Sequence, residues 1–152
     1  MNIIPSLQIT GDALTAERIR MDVVAQNIAN AQTTRDVDGK AYQRKIVSFE
    51  TVMNKAAKAL QDSGEGDSDE AQTSAAIKSV RVSGVTSDPT VGEKVYNPGH
   101  PDADKDGMVT MPNVKVAQEM VDLITSSRAY EANLAVAKNG RSMADAALRL
   151  GR

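Results

Sequence analysis

Leu7, Leu14, Met21 and Ile28 recur every seventh residue at the front of the chain. Val116, Leu123, Tyr130, Ala137 and Ala144 do the same at the back, with Met120, Leu134 and Leu148 in the neighbouring heptad row. Sevenfold recurrence lays an apolar seam along a helix, which is what two helices need to wind around each other or around helices of other chains. The pattern predicts a mainly α protein with a small β module: long N- and C-terminal helices pairing as a coiled coil, and a short β-containing middle domain. Chain ends usually fray, so a packing surface concentrated there points to assembly through the termini.

A chain of 152 residues has room for one domain and a small second one. Its own core is expected to be modest. Aromatic residues make up 3% of the chain, and the C-terminal helix is rich in alanine, which buries little area per residue. A net charge of −2 provides no basic field for nucleic acid or for an anionic membrane surface. Without cysteine there is neither a disulfide framework nor a thiolate metal site. The stretch from Met1 to Ile9 lacks the basic and apolar regions of a cleavable secretory signal, and no segment approaches the roughly 20 apolar residues that span a bilayer.

Pro5 and Ser6 suit a helix start, and the first helix is expected to run to about Asn30. On a helical wheel Ile19 and Val23 fall off the line of Leu14, Met21 and Ile28, so more than one face needs a partner. Asp38-Gly39 marks a turn, Tyr42 to Phe49 reads as a strand, and Thr51 to about Leu60 reads as a short helix. From Asp62 to Ser74, acidic residues stand among glycine and serine with hardly an apolar side chain, the composition of a linker. Alternation returns from Ile77 to Thr86 and again from Val91 to Tyr96, which implies further short strands. Asn113, just after Pro112, is the expected cap of the long C-terminal helix. These boundaries divide the chain into terminal segments 1–34 and 112–152 and a middle module 35–111 carrying an acidic loop at 62–76.

Asp102, Asp104, Asp106 and Gly107 match the first half of a calcium-binding loop. The twelfth position of that loop is Asn113, which cannot supply a bidentate carboxylate, and Pro98 and Pro101 do not suit an entering helix. An aspartate-rich turn explains the same residues. His100 is the single histidine, no thiol exists to pair with it, and nucleophile-elbow, phosphate-loop and dinucleotide fingerprints are missing. No catalytic residue, metal or cofactor is therefore expected.

Two segments carry a resemblance. Arg20 to Thr34, with Asn27-Ile28-Ala29-Asn30 at its heart, resembles the N-terminal pattern of bacterial flagellar rod and hook proteins. Glu119 to Ile124, followed by Ser127 to Asn133, resembles the C-terminal pattern of the same family. The stretch Val95 to Asp104, with Met111 to Val114 after it, looks like a proximal-rod member. The resemblance spans nearly the whole chain apart from the acidic stretch.

The resemblance implies a structural subunit of the flagellar basal-body rod, polymerising through its terminal helices into the hollow shaft that crosses the periplasm, transmits torque and encloses the export channel. Implied partners are copies of the chain itself, other rod proteins of the proximal rod, the distal rod and the rod-to-ring junction, and the flagellar type III export apparatus, which needs no cleaved signal. Nucleic acid and direct membrane insertion are not implied. Under this reading Leu7, Leu14, Met21, Val24 and Ile28 pack against Val116, Leu123, Tyr130, Leu134 and Ala137, with Met120 and Leu148 in the same packing surface. Asn27 and Asn30 are expected to bond a neighbour's backbone, and Arg128 and Glu131 to form ion pairs between chains. Two other classes compete: an adaptor or secretion chaperone with helical ends, and a calcium-responsive module built on the three aspartates.

Overall fold

The computed structural model of the chain describes residues 3–36, 39–53 and 78–150. Helix α1 covers Ile3–Ala29 and helix α2 covers Val116–Leu150. Between them lie strands β1 (Lys45–Met53), β2 (Lys78–Ser87), β3 (Lys94–Tyr96) and β4 (Met108–Thr110). Two long helices around a small β part are the architecture expected. The acidic stretch 62–76, and the part of the expected short helix beyond Met53, lie outside the described residues. Thr51 to Met53, assigned to that helix, instead continue β1.

Helix α1 begins two residues ahead of Pro5, which is tolerated in a first turn because those amides have no intrahelical acceptor. At its end Asn30 gives the Gln26 carbonyl two bonds, from its backbone amide at 3.1 Å and from its side-chain amide at 2.9 Å. Asp36 and Lys40 then close a turn, with Gly39 at φ +73, a conformation that costs glycine nothing. Helix α2 starts later than Asn113. Lys115 accepts from the amides of Gln118 and Glu119 and holds the first turn, while the Asn113 side chain is drawn off to accept from the Arg44 amide at 2.6 Å.

The fold separates into two compact units. The first combines residues 1–18, 49–83 and 129–152; the second combines 19–48 and 84–128. In the first unit β1 and β2 pair, Arg81 forming an ion pair with Glu50 while the Ser79 hydroxyl reaches the Val52 carbonyl. As one residue number rises the other falls, the order antiparallel strands require. Thr10 and Ala16 are its buried positions on α1, and Gly140 lies close to the Leu7 side chain.

In the second unit β3 and β4 form an antiparallel hairpin, Lys94 opposite Thr110, Val95 opposite Val109 and Tyr96 opposite Met108. Val109 is buried beneath it. Gly92 permits the chain entering this hairpin to touch Met111: a Cβ there would stand 1.8 Å from the Met111 carbonyl oxygen. The loop from Asn97 to Gly107 is a run of turns. Asp104 accepts from the amides of Asp106 and Met108, and Asp102 accepts from the Thr34 hydroxyl at 2.8 Å beside Arg35. These carboxylates therefore serve their own turn and a neighbouring loop. Among the described residues no three Asp, Glu, His or Cys side chains converge as a metal ion would need.

Candidate assembly surface and buried polar cluster

Asn27 is the most completely bonded side chain of the second unit. Its amide nitrogen donates to the Lys45 carbonyl at 2.9 Å and to Glu119 Oε2 at 3.0 Å. Its oxygen accepts from the Tyr42 hydroxyl at 3.0 Å and from the Lys45 amide at 2.9 Å. Both donors and both lone pairs are used, as a residue only 1% exposed requires. The other Glu119 oxygen accepts from Arg44 Nε at 2.5 Å, and Arg44 reaches on to Asp122 at 3.4 Å, which also faces Arg20 at 3.8 Å. Asp88 fastens the far side, its amide donating to the Arg44 carbonyl at 2.7 Å. Strand β1 and both helices of this unit are thus joined through polar groups rather than through an apolar plug.

Two titrations shift here. Tyr42 is held above the ordinary phenol value, chiefly because burial disfavours the phenolate, with Asp36 and Glu119 adding negative charge. Asp88 is held below the ordinary carboxylate value by hydrogen bonds from the Thr90 side chain and amide, with Arg44 assisting against a partial loss of water.

The expected neighbour bond of Asn27 is replaced by bonds within the chain, because the residue is enclosed between the two helices and β1. Asn30 caps α1 and accepts from Thr33. Arg128 and Glu131 stand exposed on α2. Of the expected packing residues, Val24 is buried; Leu14, Met21, Ile28, Leu123, Tyr130 and Ala137 are half-buried; and Leu7, Val116, Met120, Leu134 and Leu148 are exposed. Glu119, Tyr42, Arg44 and Ser126 escaped the sequence reading. Glu119 and Ser126 carried a usable signal, since Glu119, Ser126, Asn133 and Gly140 recur every seventh residue beside the Leu123 row.

The burial along α2 is inverted relative to an ordinary helix. The Glu119 row and the row Leu123, Tyr130, Ala137 and Ala144 are buried or half-buried, and the first of them is small or polar throughout. Most of the large apolar side chains lie elsewhere: Val116, Met120 (54% exposed), Val121, Ile124, Leu134, Val136, Met143 and Leu148 (73% exposed) are all exposed. A helix that buries serine and glycine while exposing methionine and leucine keeps apolar surface available for a contact outside the chain. No helix among the described residues is long and apolar enough to cross a membrane.

An open groove of about 670 Å³ lies in the second unit, bordered by Lys40, Gln43, Gly92, Asp102 and Asn113. Of its polar groups, Asp102 is bonded to Thr34 and Arg35, and Asn113 to Arg44.

Comparison with known proteins decides what such a helix pair belongs to. A family model for the flagella basal body rod protein matches residues 7–35, and one for the C-terminal part of the flagellar basal body rod FlgEFG proteins matches residues 105–150. The flagellar basal-body rod protein FlgC of Bacillus subtilis is 40% identical, covering all of both chains. Those of Borreliella burgdorferi and Salmonella typhimurium are 36% and 35% identical, covering 99% of this chain and 98% and 99% of their own. The chain belongs to the flagellar basal-body rod protein C family. It is thus a structural protein of the flagellar basal-body rod. The two family matches fall on α1 with the turn after it and on the last β turn with α2, the elements that supply Asn27 and Glu119 and the outward apolar residues.

Proposed function

We propose that this rod protein polymerises through its terminal helices, with itself and with other rod proteins, as a subunit of the proximal rod. The shaft so formed is hollow, crosses the periplasm, passes torque outward and encloses the channel through which subunits are exported. Segments 1–34 and 112–152 build the wall of that shaft, and 35–111 forms the module outside it. The chain reaches its place through the flagellar type III export apparatus without a cleaved signal, and its work is structural rather than catalytic.

The observation that supports this reading is the eight large apolar side chains that α2 turns outward while its buried row is small and polar. Leu7, Val116, Met120, Leu134 and Leu148 meet neighbouring subunits, Leu14, Met21, Ile28, Leu123, Tyr130 and Ala137 line the seam behind them, and Arg128 and Glu131 form ion pairs across the contact. The outer halves of the helices gain their full order only when those neighbours arrive.

Ile124→Asp tests it. Ile124 is exposed, so the charge stays in water in the free chain and becomes buried and unpaired only in an assembly. The variant should fold with unchanged helix content, while basal bodies purified from cells carrying it should lack the protein by mass spectrometry and the cells should not swim. Normal rods containing the variant would refute the assignment of this face.

A further inference from the structure

Where α2 packs within the chain it offers two rows, Ser126, Asn133 and Gly140 beside Leu123, Tyr130, Ala137 and Ala144, and α1 offers Ala13 and Ala16 beside Leu14, Met21, Val23 and Val24. The rows repeat every seven residues, so after a slip of one heptad apolar positions again face apolar positions. A one-heptad slip is about 10 Å of axial travel. Apolar packing along this seam therefore sets the axial position less sharply than buried polar bonds, each of which is lost when its partner moves away.

The geometry points to the Asn27–Glu119–Arg44 cluster as a register lock, a device that admits one axial setting of α1 against α2 and so fixes where α2 presents its outward apolar residues. Asn27 uses every hydrogen-bonding position it has, and one of its four partners comes from α2. Glu119 divides its two oxygens between Asn27 and Arg44. Moving α2 by one heptad brings Ser126 to the place of Glu119. The short serine side chain offers Arg44 no charge and has one oxygen where Glu119 uses two, so it cannot serve Asn27 and Arg44 together, in a site where both Asn27 and Glu119 are 1% exposed. In the other direction the seventh residue is Pro112, which precedes the helix. Each slipped setting thus strands buried polar groups, and only the observed one satisfies all of them. A buried carboxylate is a poor source of stability, since replacing such a pair by apolar residues is often neutral or favourable. Its value here is specificity, the use for which a polar group at a heptad position is best attested. This role belongs to the fold of the single chain and does not depend on the polymerisation reading.

The test measures register directly in the full chain. The sequence has no cysteine, so cysteines introduced at the exposed positions Ala25 and Thr125 take spin labels nowhere else. Pulsed dipolar spectroscopy should give one narrow distance distribution for this labelled chain. With Asn27→Leu and Glu119→Leu added, helix content by circular dichroism should persist while the distribution splits or broadens, with new components displaced by up to about 10 Å. A single unchanged peak in the double-leucine chain would overturn the proposal. Loss of helix content would overturn it as well, by making the cluster a source of stability instead. Glu119→Gln, which keeps an oxygen for Asn27, should retain the single peak; a split there too would place the lock in the charge alone and remove the role assigned to Asn27.

Discussion

Replacing Asn27 by alanine removes four hydrogen bonds at once and leaves their partners in place. Two of those partners have little access to water: Glu119 is 1% exposed and Tyr42 is 7% exposed. Each buried group left without its bond costs roughly 1–3 kcal/mol. The Lys45 amide and carbonyl are only part-buried and regain water, so they add little. Water entering the space left by the amide offsets some of the loss, and Glu119 keeps Arg44, which together point to a destabilisation of about 3 kcal/mol. For a chain of this length that lowers the unfolding midpoint by roughly 10 °C, at 2–4 °C per kcal/mol. Thermal and urea unfolding followed by far-ultraviolet circular dichroism measure it, with Asn30→Ala as the control. Asn30 sits on the same helix but makes exposed or part-buried bonds to Gln26 and Thr33, so its loss should cost about 0.5 kcal/mol. A cost below about 1 kcal/mol for Asn27→Ala, or equal costs at the two positions, would refute the claim that the cluster is enclosed and fully bonded.

Gly92→Ala should destabilise the second unit by about 3 kcal/mol in urea unfolding, because the new methyl would stand 1.8 Å from the Met111 carbonyl oxygen and backbone must move; near-normal stability would mean the two segments do not touch. Tyr42 should ionise above the ordinary value of 10.0, read as the ultraviolet difference titration between the chain and Tyr42→Phe, with burial the main cause and Asp36 and Glu119 secondary. Because the folded value is raised, the stability held by the neutral phenol is complete below about pH 10 and is lost as pH rises through the folded value. A Tyr42 step at or below 10.0 would place the ring in water.

Much of the fold could be read from local chemistry. The two helices announce themselves through period and length, Asp38-Gly39 through turn chemistry, and the strands through alternation, since each signal depends on residues close in the chain. What escaped depends on distant partners. The Asn113 side chain could have capped α2 by local rules, but Arg44, 69 residues away, claims its oxygen and the helix begins at Val116 instead. Asn27 stood out as polar on an apolar stretch, yet the sequence does not tell whether such a residue bonds a neighbour or its own chain. The answer rests on Glu119, 92 residues later. The heptad rows were visible, but periodicity does not say which row a helix turns to its own chain: Leu123 and Tyr130 are half-buried, while Met120, Leu134 and Leu148 in the neighbouring row are exposed.

In the polymerisation reading proposed above, α2 divides its work between two interfaces. A chain that must both fold and assemble has two surfaces to bury, and giving the larger side chains to the inner one would leave the outer one too weak to associate. Here the inner seam combines close approach by small residues with polar bonds that work without large area. The outer surface keeps most of the large apolar side chains of α2, whose burial at roughly 25 cal/mol per Å² would be gained when a neighbour covers them. Ordinary scoring of a helix by its hydrophobic stripe assumes the stripe faces the chain's own core. Under that reading the stripe on α2 faces the next subunit, and the intrachain face is marked by a row of small and polar heptad positions, Glu119, Ser126, Asn133 and Gly140.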